Sequence, residues 1–130
     1  MAIYYGCQIQ YAVYGAQNIL KDLELFRPTV IPIVPRLLNK LYPVMRKILE
    51  SELEPEQMLK SKIKEMFGGR LRTMITASAP VSSEILSFFK RTLECEVREA
   101  YGQTETTALS FVTDPRDVNY GHVGGPNPSF

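Results

Sequence analysis

Tyr101-Gly102-Gln103-Thr104-Glu105-Thr106 brings an aromatic ring, a glycine, a hydroxyl and a carboxylate into one short segment. The Tyr101 ring offers a flat face to a purine and a hydroxyl to a polar partner. Gly102 has no Cβ to hold off a base or a phosphate. Thr104 supplies a hydroxyl for a phosphate oxygen. Glu105 supplies a hard anionic oxygen of the kind that shares Mg²⁺ with substrate phosphates. Upstream, Ser78 and Ala79 are small enough to leave room for a purine edge, with main-chain polar groups to read it. The same residues also read as a strand end, a turn and a helix cap, because threonine caps helices and glutamate favours a helix start. The segment alone leaves these two readings balanced.

Such residues act only if a scaffold holds them together. Residues 71–76 and 95–101 read as strands, each leading into a loop: Ala77, Ser78, Ala79 and Pro80 after the first, Gly102 to Glu105 after the second. Between them Ser82 can cap a helix whose buried face is Ile85, Phe88, Phe89 and Leu93, with Glu84 in its first turn. Further upstream, Ile19, Leu20, Leu23 and Phe26 recur at helical spacing, and Arg27-Pro28 ends the run. Residues 29–34 read as a short strand in which Pro32 argues for an edge or an end. Leu37, Leu38, Leu41, Met45, Ile48 and Leu49 mark a second amphipathic helix that Pro43 should kink or divide. Residues 50–57 form a charged connection. Leu59, Ile63, Met66 and Phe67 mark a third helix, stopped by Gly68-Gly69. Residues 6–13 read as a further strand.

Alternating strands and helices with short connections predict an α/β fold, a parallel sheet covered by helices on both faces. Ligands of such sheets bind beyond the carboxyl ends of the strands, where the loops at 77–80 and 102–105 fall.

Composition narrows the classes. A length of 130 residues suits one domain or a piece of a larger one, and an apolar fraction of 45% is ordinary for a globular chain. A net charge of +1, with acidic and basic residues mixed, gives no electrostatic case for nucleic acid. Cys7 and Cys95 are too few for a disulfide framework or a zinc site. No run approaches the ~20 apolar residues that span a bilayer, and no signal peptide is evident. Both ends read as cuts through a domain.

The flanks of the hexapeptide add a resemblance. Tyr101-Gly102-Gln103-Thr104-Glu105-Thr106 is similar to the aromatic-Gly-x-Thr-Glu core motif of the adenylate-forming superfamily. Ala77-Ser78-Ala79-Pro80 looks like its adenine loop, and Gly121-His122-Val123-Gly124 with Pro126 like the segment after the core motif. Within that superfamily, residues 32–39 and 68–72 most resemble long-chain fatty acyl-CoA synthetases. The likeness weakens over 47–64, where the family is expected to carry a longer insertion.

The resemblance implies enzymes that join a fatty acid to ATP, giving an acyl-adenylate and pyrophosphate, and then pass the acyl group to CoA. It assigns adenine to Ser78, Ala79, Pro80 and Tyr101, with Gly102 and Gln103 in the nucleotide-binding loop. Thr104 takes the α-phosphate and Glu105 the Mg²⁺, and these two are the catalytic candidates. On this reading residues 1–130 are part of an AMP-binding domain. The phosphate loop and the C-terminal lysine domain lie outside the chain, so the isolated chain is expected not to turn over. The expected partners are fatty acid, ATP and CoA, with membrane association through regions outside this segment. The implied location is intracellular, with the full-length protein on the endoplasmic reticulum, mitochondrial outer or peroxisomal membrane.

Rival readings are a medium-chain or aryl-acid ligase, a truncated paralogue that only binds nucleotide or a partner, and a self-contained flavodoxin-like binding domain. His122 reads as a turn or packing residue rather than a base, and Cys95 as core. Pro35-Arg36 reads as a helix start with a surface arginine. Tyr4, Tyr5, Tyr11 and Tyr14 read as packing or surface residues.

Overall fold

The computed structural model describes residues 6–51 and 54–127. Four helices, α1 (Ile19–Phe26), α2 (Pro35–Leu49), α3 (Glu56–Met66) and α4 (Ser83–Leu93), accompany a five-stranded sheet. Its strands are β1 (Val30–Pro32), β2 (Thr73–Thr76), β3 (Glu96–Tyr101), β4 (Phe111–Val112) and β5 (Gly125–Pro126), in the spatial order β1-β2-β3-β4-β5.

Local chemistry sets the boundaries. Arg27 closes α1 in a left-handed conformation, its N–H bonded to the Leu23 carbonyl at 2.9 Å. Pro35 opens α2 at a position where its missing N–H costs nothing. Ser82 caps α4, its Oγ accepting the Ile85 N–H at 3.4 Å. Past α3, Gly68 has φ +88°, and a Cβ there would lie 2.6 Å from the Arg27 Cα. That glycine is what allows the ends of α1 and α3 to touch, and the Arg27 Nε bonds its carbonyl at 2.8 Å.

Pro43 does not divide α2, which is continuous over fifteen residues. The carbonyl it leaves unpaired belongs to Asn39, which is exposed, so water can serve it. Pro32 lies in β1, the edge strand, as expected. The strand expected over 6–13 is not formed. Residues 7–14 are exposed and pair with no described strand. The segment is instead tied to α1 by Asp22, whose buried carboxylate accepts the N–H groups of Val13 at 2.9 Å and Tyr14 at 3.2 Å. Tyr11 and Tyr14 are exposed, and Tyr4 and Tyr5 lie outside the described residues.

The sheet is parallel only from β1 to β3; β4 and β5 are antiparallel to their neighbours. Two-residue strands carry too little periodicity to be read from sequence, and a chain that returns within nine residues of β3 can pair only antiparallel. Nor are both faces covered by described helices. With strands in sequential order, right-handed crossovers put α2, α3 and α4 on the same side, and Leu23 of α1 joins them there. One cluster accordingly joins Leu23, Leu38, Met45, Ile63, Phe67, Leu86, Phe89 and Leu93 of the helical segments to Ile31 and Met74 of the sheet. On the opposite face Val30, Pro32 and Glu96 are exposed. Each fully buried Leu or Phe contributes roughly 1.5–3 kcal/mol relative to exposure. Phe89 also meets Phe67 and Phe88 edge-on, with ring centroids 6.1 and 5.4 Å apart.

Candidate functional site

β2 and β3 end side by side, so the loops that follow them face one another. In the parallel register Thr76 pairs with Glu99. Strand alternation then carries Glu99 and Tyr101 to one face. A cavity of about 350 Å³ opens there, lined by Ser78, Ala79, Pro80, Tyr101 and Gly102 from the two predicted loops. Thr76, Glu99, Ala100 and the turn Gly121, His122 and Val123 complete it. A larger cavity of about 670 Å³ lies between α2 and α3, around Pro43, Ile48 and Leu59. It shares no lining residue with the cavity between the two loops.

Tyr101 is half exposed, its ring 6.2 Å from that of Phe111 and tilted by 51°. It therefore keeps aromatic surface for a flat ligand while Phe111 limits its swing. Ser78 has φ +81°, a left-handed backbone at a residue with a side chain. Gly102 carries a constraint from the chain itself. A Cβ there would lie 1.3 Å from the carbonyl oxygen of Ala108. The bare Cα is required by the chain's own return over residue 102.

The rest of the hexapeptide forms a 3-10 turn, Thr104–Thr106. The Gln103 N–H bonds Thr106 Oγ1 at 3.3 Å, and the Gln103 carbonyl accepts the N–H groups of Thr106 and Ala108 at 3.1 Å. Gln103, Thr104 and Glu105 are exposed and stand beside the cavity rather than lining it. Neither Thr104 nor Glu105 has a side-chain hydrogen bond to a described residue. Among the described residues no group of three His, Cys, Asp or Glu could hold a metal by itself. One free carboxylate next to a threonine hydroxyl fits a Mg²⁺ that takes its other ligands from phosphates and water.

Glu99 and Thr76 were missed in the sequence reading. Glu99 is buried, and its Oε1 accepts the Gly121 N–H at 2.8 Å, which docks the later turn onto β3. Thr76 is 2% exposed, and its Oγ1 has no hydrogen-bond partner among the described residues. Leaving a buried hydroxyl unpaired costs about 1–3 kcal/mol. Counting back by two from Tyr101 would have found Glu99; Thr76 needed the strand register as well.

His122 is a turn residue, as expected. Its Nδ1 accepts the Gly124 N–H at 3.1 Å and its Nε2 faces Asp117 Oδ2 at 3.1 Å, so both ring nitrogens are engaged. Nearby, the Arg116 guanidinium holds the Asp114 carboxyl down to about 2, but this exposed pair lies outside the cavity. Burial pushes the Cys95 thiol up to about 11, in keeping with a core position.

The profile of the AMP-binding enzyme family matches residues 1–130, the whole chain. The chain belongs to the AMP-binding enzyme family. Among curated relatives, human long-chain-fatty-acid–CoA ligase 1 is 34% identical over 95% of the chain and 21% of its own length. That alignment runs to 149 positions, longer than the chain itself, so the relative has residues without a counterpart here. Rat long-chain-fatty-acid–CoA ligase 5 is 36% identical over 81% of the chain and 19% of its length. The chain thus spans about a fifth of the length of these relatives. Among solved structures, the A domain of the Segniliparus rugosus carboxylic acid reductase, in complex with AMP and a co-purified carboxylic acid, superposes with a TM-score of 0.61. It is 28% identical, and the match covers 72% of this chain and 16% of that one.

Proposed function

We propose that this chain forms the adenine and α-phosphate part of the site of an AMP-forming long-chain fatty acid–CoA ligase. The observation that carries this reading is the cavity where Ser78, Ala79 and Pro80 face Tyr101 and Gly102. Membership of the AMP-binding family and the similarity to long-chain ligases support it.

In the reaction a fatty acid carboxylate oxygen attacks the α-phosphorus of ATP. The bond from that phosphorus to the bridging oxygen breaks, and pyrophosphate leaves with the electron pair. The thiolate of CoA then displaces AMP from the acyl carbon. Ser78, Ala79, Pro80 and Tyr101 hold the base, and the buried Glu99 carboxylate at the cavity wall accepts from an amino group. The Thr104 hydroxyl donates to an α-phosphate oxygen, which gains charge as the attack proceeds. Glu105 holds the Mg²⁺, which when bound supplies positive charge to the phosphates.

On this reading the chain binds nucleotide. Calorimetric titration with AMP, and with ATP in the presence and absence of Mg²⁺, tests it. AMP binding is expected together with a Mg²⁺-dependent gain in ATP affinity. Glu105→Ala should remove that gain and leave AMP binding intact. Absence of AMP binding overturns the site, and a Mg²⁺ gain that survives Glu105→Ala overturns the metal role.

A further inference from the structure

We propose that Thr76 is a specificity-determining residue of the cavity, its hydroxyl donating to a ring nitrogen of the bound base beside the Glu99 carboxylate. The inference rests on the nucleotide reading above and concerns how that site distinguishes one base from another.

Thr76 and Glu99 are register partners on adjacent parallel strands, and both line the same cavity. Both are buried, at 2% and 8% exposure. Their hydrogen bonding is complementary. An ionised carboxylate only accepts, whereas a hydroxyl can also donate. Glu99 Oε1 is taken by the Gly121 N–H, leaving Oε2 without a hydrogen-bond partner among the described residues. Thr76 Oγ1 likewise has none among them. A valine would occupy the same space without burying an unpaired oxygen, so the fold alone gives no account of this hydroxyl.

A base that meets the pair with an amino donor beside a ring acceptor satisfies both groups, and a 6-aminopurine has that pattern. A 6-oxopurine presents the reverse on its N1 side, setting a carbonyl oxygen against the carboxylate. Sites built around buried polar groups reject a ligand that leaves them unpaired more strongly than apolar sites reject a change of shape. Thr76 therefore adds the donor that Glu99 cannot supply.

The test compares AMP, IMP, 1-deaza-AMP and 7-deaza-AMP binding to the wild-type chain, Thr76→Val and Thr76→Ser, alongside thermal unfolding of each. Wild type should prefer AMP to IMP. Thr76→Val should weaken AMP binding about five- to tenfold, the effect of one lost hydrogen bond, and narrow the AMP-to-IMP ratio. Its unfolding temperature should be equal or higher. Thr76→Ser should retain wild-type selectivity. One of the deaza analogues should bind wild type as weakly as AMP binds Thr76→Val, with no further loss in that variant. If wild type fails to bind AMP, the nucleotide reading falls and takes this inference with it. Normal AMP binding that Thr76→Val leaves unchanged overturns this inference alone. A Thr76→Val variant that is less stable but equally selective does the same, because it assigns the hydroxyl to the fold.

Discussion

Around β1, β2 and β3 the chain is held by burial, whereas from Gly102 onward it is held by hydrogen bonds and by glycines that admit close backbone contacts. The core runs from Leu23 to Ala100, with Phe67, Phe89, Leu38 and Met45 fully enclosed. Beyond Ala100 the buried residues among those described are Ser110 and Thr113, both polar. There the Ser110 N–H bonds the Tyr101 carbonyl at 2.9 Å and the Thr113 N–H the Glu99 carbonyl at 3.0 Å. Gly124, with φ +73°, sits where a Cβ would come within 2.3 Å of the Val112 carbonyl oxygen. The cavity lies across this division. Its Thr76 and Glu99 wall belongs to the rigid part, and its lip at Gly121 to the lightly held part. Segments with few buried apolar contacts open at lower free energy than the core, so the lip is the side that a ligand can order.

The largest effect should come from the buried part. Phe89→Ala removes a fully enclosed ring from between Phe67 and Phe88 and should cost about 3–5 kcal/mol by urea unfolding. A loss below about 1 kcal/mol would mean that the helical cluster does not carry the fold. Gly102→Ala probes the other part. The new methyl collides with the Ala108 carbonyl, and a forced shift of this kind costs about 1–3 kcal/mol. Hydrogen exchange should then accelerate at Ser110 and Thr113 while Met74 and Ile75 stay protected, and AMP affinity should fall at least tenfold. Equal loss of protection in both regions would erase the distinction between them.

The same division explains what the sequence disclosed. Wherever burial decides, periodicity reports it: α1, α2, α3, α4, β2 and β3 appear where their apolar spacing puts them. The two loops of the cavity were legible as well, because each follows such a strand. Where hydrogen bonds and close backbone approach decide, single residues carry no pattern. The antiparallel strands β4 and β5 were therefore missed, and so was the close approach of Ala108 to Gly102. Residues 6–13 failed for the opposite reason: their alternation is genuine, but no described strand lies beside them, and a pattern without a partner makes no sheet.

Cys95, at the entrance to β3, gives the burial side a pH signature. Its folded value of about 11 lies above the ordinary thiol value because burial disfavours the thiolate. The unfolded chain therefore releases this proton first as pH rises. Stability from this group is intact below about pH 9 and falls between about 9 and 11, by up to about 1.4 kcal/mol per pH unit. Urea midpoints for wild type and Cys95→Val across that range should converge or cross as the wild-type contribution disappears. Parallel curves would show that the thiol ionises as easily inside as outside.

The smallest effect concerns the lip of the strand that precedes it. Ser78 holds φ +81° next to the cavity, a conformation that costs a residue with a Cβ about 1–2 kcal/mol. Ser78→Gly relieves that strain but frees the unfolded chain, which offsets about 0.4–1 kcal/mol of the gain. The net change should be a stabilisation of about 0.5–1 kcal/mol. If residue 78 meets the base through its main chain, AMP affinity should stay within about twofold. A stabilised variant that binds AMP poorly would instead assign the contact to the serine hydroxyl, and a destabilised one would show that the hydroxyl holds the loop. Either result would move Ser78 from the group of residues that shape the cavity by backbone alone, where Gly102 already stands, to the group that acts through a side chain.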